Sequence, residues 1–534
     1  MSTAIRVRRS IEDLQAAYEA GDKKPLETLI RAWRGIQALP PSDQRSFFTL
    51  GGYHGEPFRG GGWGSSNYWG GYCNHGNVLF PTWHRVYLLK LEEALRSIPG
   101  CAEVTLPFWD ETSPGSLAHG VPWALTQPTF ELDGETIPNP LASFTFPQAI
   151  QDNLASQSSL NPIADPNYSK PEGYTTVRYP LSGLVGDAAS RAQTAAHNAL
   201  YPDPATNVEL LNQNIVNWLT TSVTVNGQVV ANNVHGEYLS CLDAPNYTLF
   251  SNTSSAQEWN LNQATQVMPL EQPHNDIHLA VGGFDVPGPL GGDVSQIEGA
   301  NGDMGENDTA GLDPIFFFHH CFVDRVFWLW QKRHGATDAL EIMAYYPGTN
   351  SVDYQGPTPG TPANSWLTLD SPLNPFTRDG DGAPFTSRDC INIETQLGYT
   401  YGPGSLEDVE AERAALGLAP AAEAAPVVHV SGISRASIRG SFLISAFAIV
   451  DGQRQYLGSR GVLSRWHVTG CANCQAHLQA HAAFSLPPSI TQGLAPADIE
   501  VEVRTRDGLL GGAARSAAAA ETTTGRPPFR VEIR

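Results

Sequence analysis

The feature that most constrains this chain is the stretch Asp313-Pro-Ile-Phe-Phe-Phe-His-His-Cys-Phe-Val-Asp-Arg-Val-Phe-Trp-Leu-Trp330. It is apolar and aromatic, reads as one long helix, and carries two adjacent histidines. Upstream, Gln272-Pro-His-Asn-Asp-Ile-His278 sets two histidines four apart. On a helix that spacing puts both imidazoles on one face, a turn apart, where both can reach one ion. Consecutive helix positions point about 100° apart, so only one of His319 and His320 should face the same site. His320 shares its face with Phe316 and Asp324, which leaves His319 to pack nearby or bond to backbone.

A second set lies far upstream. Cys73-Asn-His75 follows a glycine- and aromatic-rich loop that also carries His54, and His84 sits in the first turn of a helix predicted from about Pro81 to Arg96. There Leu88, Leu91 and Leu95 recur at helical spacing, with His84 on the same stripe. Any one of these histidines alone reads as an ordinary core or surface residue. Embedded together in aromatic runs, they form two candidate triads, enough for two metal ions. Imidazole-only sites suit copper, zinc or iron. Six imidazoles with no bridging carboxylate favour a copper pair, which suits dioxygen.

Composition narrows the classes of partner. Thirty-two basic against 54 acidic residues give a net charge of −22, which argues against nucleic acid or an anionic membrane, since both need basic surface. No apolar run approaches the roughly 20 residues of a membrane span. The N-terminal residues Met1 to Ser10 contain no apolar core of a secretory signal, so a cytoplasmic location is expected. Seven thinly spread cysteines are not a disulfide framework, and Cys101, Cys241 and Cys390 read as core thiols. Homo-oligomerisation is left open.

At 534 residues, more than one domain is expected. Ser10-Ile-Glu-Asp13 reads as a cap opening a first helix, and a second runs from about Pro25 to Leu39. Residues 111–235 read as insertions around a helical core, with a hairpin at Thr224 to Val230. Residues 347–388 read as extended coil. An Ala/Pro-rich tether from Ala414 to Pro426 is the clearest boundary. Beyond it, Ser441 to Val450, Ala476 to Leu486, Ile499 to Thr505 and Phe529 to Ile533 show β-type patterning. The expected fold is mainly α: a helical bundle with long loops holding a dicopper site over 1–402, a linker over 403–425, and a β-sandwich over 426–534.

Two long motifs take the reading further. Phe80-x-x-Trp-His-Arg-x-Tyr-x-x-x-x-Glu92 and Asp313-Pro-Ile-Phe-x-x-His-His-x-x-Val-Asp-Arg-x-x-x-x-Trp330 closely resemble the two copper signatures of the tyrosinase family of binuclear copper proteins. The resemblance covers roughly 1–402 and extends into the C-terminal domain. It implies two copper ions per chain, one on His54, His75 and His84, the other on His274, His278 and His320. It implies O2 and phenolic small molecules as reactants: monophenols hydroxylated in the ortho position, and o-diphenols oxidised to o-quinones. A catechol oxidase without the hydroxylase step and a hemocyanin-like dioxygen carrier are the alternatives.

Cys73-x-His75 resembles the pattern in which the cysteine forms a thioether to a histidine carbon. Glu271 and Asn275 resemble a pair that holds a water able to take the phenol proton; a phenol of pKa about 10 binds copper well only as phenolate. Glu271 also reads as a helix-capping acid. Phe316 resembles the family's gate phenylalanine, and Leu279 a residue lining the pocket entrance; core packing is the competing reading for both. Tyr399-Thr-Tyr401 resembles a motif that closes the catalytic domain against an N-terminal arginine, with Arg6, Arg8 and Arg9 as candidates.

The C-terminal domain resembles the lid of fungal pro-tyrosinases, which covers the copper site with a bulky side chain. Trp466 is the candidate among several residues between Gly461 and Gly470. Cys471-x-x-Cys474 with His477 and His481 has zinc-like spacing; the resemblance implies instead that the cysteine pair handles copper, and a plain dithiol or disulfide is the third alternative. The alternation from His477 to Ala482 reads as a strand with an outward polar face.

Overall fold

The computed structural model describes the chain apart from residues 1–4, 56–70, 152–168, 185–187, 226–227, 231, 264, 288–296, 298, 351–364, 417–425, 467, 469–473, 475–476, 487–493, 511–513 and 516–528. The hairpin turn at 226–227, Cys471 and most of the expected tether lie outside the described residues.

The N-terminal part is a helical bundle. Ser10 caps the helix Ile11–Glu19, its hydroxyl accepting from Asp13 N at 3.0 Å, and Lys24–Gln37 follows. Four further helices carry the functional residues: Phe47–Gly55, Phe80–Arg96, Glu271–Gly282 and Ile315–Arg333, called the first to fourth site helices below. The fourth is buried nearly throughout: its aromatic residues pack on every side, and His319, His320, Asp324 and Arg325 are buried with them. Phe317 packs on Trp33, Phe47 and Tyr87; Phe322 on Phe108 and Tyr238; Phe327 on Tyr247 and Phe250. The opening stretch is thus the axis of the bundle.

The insertion 111–235 contributes the helices Pro114–His119, Ala188–Asn198 and Pro204–Thr220, and a hairpin of Thr129–Leu132 with Glu135–Pro138. It also anchors the fourth site helix: Arg178 grips the Asp313 carboxylate with two nitrogens, at 2.8 and 2.6 Å. A parallel ribbon of Arg6–Arg8 with Tyr399–Tyr401 closes the bundle. Arg8 is the arginine involved. Its guanidinium lies 3.7 Å from the Tyr399 ring centre and donates to Tyr401 Oη at 3.2 Å.

Part of the segment expected to be a linker is docked. Arg325 donates to Ser405 O and Glu407, and the helix Val409–Ala415 is pinned by Arg413 to Leu239 O and Asp243. The pairing residues Arg325, Leu239 and Asp243 lie far away in sequence, so composition could not show this.

The C-terminal part is a sandwich of antiparallel sheets. One has the order Gln479–Ser485, Val427–Ser434, Arg530–Ile533; the other Gln453–Val462, Phe442–Val450, Ile499–Thr505, Gly508–Leu509, with Ala514–Arg515 also on Ile499–Thr505. Alternate residues Ile499, Val501 and Val503 face a core shared with Val428, Val430, Phe442, Ile444 and Phe484. The sandwich docks edge-on to the third site helix. Gly461 N donates to Asp276 and Gly461 O accepts from Gln272 at 3.3 Å. A Cβ at Gly461 would lie 2.7 Å from Asp276 Oδ1, so glycine is required for this close approach. Arg460 pairs with Glu237, and Leu443, Leu463 and Trp466 join the core of the bundle. No helix among the described residues is long and apolar enough to cross a membrane.

Candidate metal centre

The four site helices carry five of the six sequence-predicted histidines, His54 among them on a helix rather than in the expected loop, and the loop before the second helix brings in His75; all six are buried. On the third and fourth helices, His274 Nε2 and His278 Nε2 each lie 3.2 Å from His320 Nε2. Two nitrogens bound about 2.05 Å from one tetrahedral ion sit about 3.3 Å apart, so both pairs already stand at the spacing of a shared ligand shell. On the other side, ring centres separate by 5.2 Å for His54 and His75, 5.6 Å for His54 and His84, and 5.3 Å for His75 and His84. The two triads abut, with the His84 and His320 rings stacked at 4.5 Å.

Outer hydrogen bonds fix which nitrogen faces inward. His84 Nδ1 meets Phe80 O at 2.8 Å and His278 Nδ1 meets Met304 O at 2.8 Å, so each donates from Nδ1 and keeps the Nε2 lone pair for the centre. His274 Nδ1 meets Asn275 Oδ1 at 3.0 Å with the same result. The buried Nε2 atoms of His54 and His84 have no hydrogen-bond partner. Burial, reinforced by neighbouring imidazoles, pushes all six histidines below their ordinary pKa, His84 to about 3. They are neutral, as ligands must be. Convergent, orphaned, neutral imidazole nitrogens are what a metal ion would satisfy, and the residues present fit two copper ions.

His319 turns out to be more than packing. Its Nδ1 meets Glu111 Oε1 at 2.5 Å, Glu111 Oε2 accepts from Tyr238 Oη at 2.7 Å, and its ring stacks on His274. Its ligand-type atom lies with those of His274, His278 and His320, all within 4.8 Å of one another. Sequence reasoning passed over Glu111 and Tyr238; nothing in their local sequence marks them. Arg85 and Asp324 were visible inside the two motifs, but no role was assigned to them.

Glu271 is fully enclosed. It accepts from Gly76 N at 2.7 Å, Thr253 N at 2.8 Å and Thr253 Oγ1 at 2.9 Å. It therefore ties the loop of His75 to the helix of His274. Burial raises its pKa, and the three donors oppose that rise. Phe316 lies fully buried, stacked on His320 at 3.9 Å and edge-on to His54 at 4.7 Å, so it backs ligands from both triads. Leu279 lies beneath the docked strand, its Cδ2 3.2 Å from the Cβ position of Gly461.

Cys73 Sγ lies with ligand-type atoms of His54 and His75 within 4.8 Å of one another. Trp466 is buried, its backbone N donating to Asp308 Oδ2 at 2.8 Å and its ring covered by Arg506 at 3.7 Å. Two C-terminal residues, Arg465, which no local pattern marks, and His477, expected on an outward face or at zinc, touch the metal-binding segments directly. Arg465 reaches Gly55 O and Cys73, and the His477 imidazole packs against Gly76, whose φ of +65° also favours glycine. Cys474 is disulfide-bonded, a form that offers no thiolate to copper or zinc. His481 lies on the strand Gln479–Ser485, as the alternation predicts, but the strand starts after His477, which sits in a turn and packs inward on Gly76 instead of facing outward.

A helical bundle enclosing two abutting triads of neutral imidazoles is consistent with a binuclear, all-histidine metal centre. The common central domain of tyrosinase matches residues 44–333. The chain is 56% identical over 506 residues to the tyrosinase HcTyr2 of a Hahella species, covering 91% of this chain and 89% of that one. It is 47% identical over 510 residues to a tyrosinase of Aspergillus oryzae, covering 90% and 88%. Its fold matches the tyrosinase from Burkholderia thailandensis at low pH with a TM-score of 0.83 and 51% identity, over 99% of this chain and 100% of that one. The chain belongs to the tyrosinase family and is a copper oxidoreductase.

Proposed function

We propose that the two triads hold one copper ion each and that the protein hydroxylates monophenols in the ortho position and oxidises o-diphenols to o-quinones with O2. The observation that carries this is the convergence of His274 Nε2 and His278 Nε2, each 3.2 Å from His320 Nε2, beside a second buried imidazole set. When bound, the copper pair activates dioxygen and accepts electrons from the phenol. The chain's own groups hold geometry, exclude water and move a proton. A carboxylate has about four acceptor positions; internal donors use three of those on Glu271, which leaves one for a water that passes on the phenol proton. Asn275, with its oxygen turned to His274, has its amide N–H groups free to donate to that water.

Residues 426–534 act as a lid, supported by Gly461 above Asp276 and Leu279 and by the buried Leu463, Arg465 and Trp466. Proximity of Cys73 Sγ to His75 supports a thioether between them. Units at 1–402 and 426–534 remain the working division.

Copper content and initial oxidation of tyrosine without added diphenol test the reading together. Two coppers per chain with tyrosine turnover, rising after the chain is cut within 417–425, is the expected result. Fewer than two coppers would undo the dicopper assignment. Diphenol turnover alone, even after a long lag, would make it a catechol oxidase, and reversible oxygenation without turnover a carrier.

A further inference from the structure

Arg465, from the C-terminal domain, is 3% exposed and reaches into the bundle beside the His54–Cys73–His75 loops. Its Nη1 donates to Gly55 O at 2.8 Å and to Asp308 Oδ1 at 3.0 Å. Its Nη2 lies 3.6 Å from Cys73 Sγ, within donor range for sulfur. Asn307 Nδ2 donates to the same sulfur at 3.7 Å, and Asn307 N donates to Ser464 O at 3.4 Å. Cys73 N in turn donates to His54 O at 3.3 Å. Two N–H donors thus engage the sulfur while its backbone is held to a ligand-bearing helix. A thiol beside copper otherwise binds the metal or is oxidised. Sulfur lone pairs engaged by N–H groups are poorer metal donors, and a sulfur in one fixed orientation has lost the freedom to rotate away from His75.

We propose that Arg465, with Asn307, positions the Cys73 sulfur for its bond to His75, so that the C-terminal domain helps to build the metal centre as well as covering it. The proposal rests on the thioether reading above. In that reaction Cys73 loses its S–H hydrogen and the His75 ring loses a C–H hydrogen as the C–S bond forms. Dioxygen takes the two electrons and two protons and leaves as hydrogen peroxide. Arg465 exchanges no atom in this step. It acts through the sulfur it orients and is a positioning residue.

The test is peptide mass spectrometry on full-length apoprotein during loading with copper under air. The crosslinked peptide pair is lighter by two hydrogen atoms, and its appearance gives a rate. In Arg465→Met, which keeps the bulk of the stem, crosslinking should slow about tenfold or more, the effect of losing one charge-assisted hydrogen bond, with copper uptake unchanged. Arg465→Lys should recover part of the rate. Asp308→Asn loosens the same docking contact but leaves both sulfur donors, and should crosslink at close to the wild-type rate. Wild-type rates in Arg465→Met, or equal slowing in Asp308→Asn, would overturn the role of Arg465 while leaving the thioether standing. Absence of the lighter peptide in the wild type would remove the thioether itself, and the proposal with it.

Discussion

Substituting Asp324 by asparagine should unlock the two halves of the metal centre. Asp324 lies one turn beyond His320 on the fourth site helix, and Arg85 immediately follows His84 on the second. The Asp324 carboxylate accepts from Arg85 Nε at 2.6 Å, Tyr399 Oη at 2.7 Å and Tyr401 Oη at 2.6 Å, with Arg8 at 3.8 Å. The Arg85 and Asp324 side chains are 0% and 2% exposed, so solvent does not screen the pair. Removing one partner of a buried pair costs about 3–5 kcal/mol, because the other charge stays buried. A bundle of roughly 400 residues, at about 2.1 cal/mol/K per residue, melts with an entropy of about 0.8 kcal/mol/K, so Tm should fall by about 4–6 °C. The same contact ties the neighbour of His84 to the residue one turn beyond His320, and those two imidazoles stack at 4.5 Å, so copper retention against a chelator should fall in parallel. Calorimetry of the apoprotein and copper content after dialysis measure the two effects. Arg85→Met added to Asp324→Asn should recover part of the lost Tm, since no unpaired guanidinium then remains at that position. A Tm within about 1 °C of the wild type, with copper retained, would show that the pair neither stabilises the bundle nor sets the distance between triads.

Glu271→Gln should lower tyrosine hydroxylation about 100-fold and diphenol oxidation less than about tenfold; equal losses in the two steady-state assays would reject the proton-accepting role. Glu111→Gln should weaken copper held by the His274 triad about tenfold to 100-fold, as loss of an outer partner does, measured by competition with a chelator; unchanged affinity would return His319 to plain packing. Burial raises Glu306 from 4.5 to about 7, against the opposing charge of Arg506. The folded chain thus keeps a proton that the unfolded chain releases, so this contribution is whole below about pH 4.5 and is lost as pH rises through about 7. Glu306→Gln, neutral throughout, should flatten the fall of Tm across that window; an unchanged slope would assign the pH dependence elsewhere.

What was legible in the sequence follows the range of each interaction. His274 and His278 could be placed on one face because helix periodicity is local, and His320 could be preferred to His319 by the same geometry. The Ser10 cap and the strand Ile499–Thr505 were likewise local patterns. Partners chosen across the fold were not legible: Glu111 meets His319 from 208 positions away, and Arg465 meets Cys73 from 392. The linker over 403–425 shows the same limit: a short acidic helix was legible near Ser405 to Glu412, but its docking by Arg325 and Arg413 was not.

The contacts of the C-terminal domain go beyond what a cover requires. A cover need only exclude substrate, and an apolar plug such as Leu463 or Trp466 is enough for that. Burying Arg465 is costly unless its charge is compensated, and its partners are Asp308, Gly55 O and Cys73, each on or next to a metal-binding loop. His477 packs on Gly76, beside the same loop, and Glu271 fixes that loop from the other side. The loop bearing His75 is therefore held between the bundle and the C-terminal domain. Cutting the chain within 417–425 before metal is loaded should have a different outcome from cutting after: the first should leave a loosely held His75 and incomplete copper, the second an open and complete centre. Equal copper content and equal turnover from the two orders of treatment would reduce the C-terminal domain to a cover.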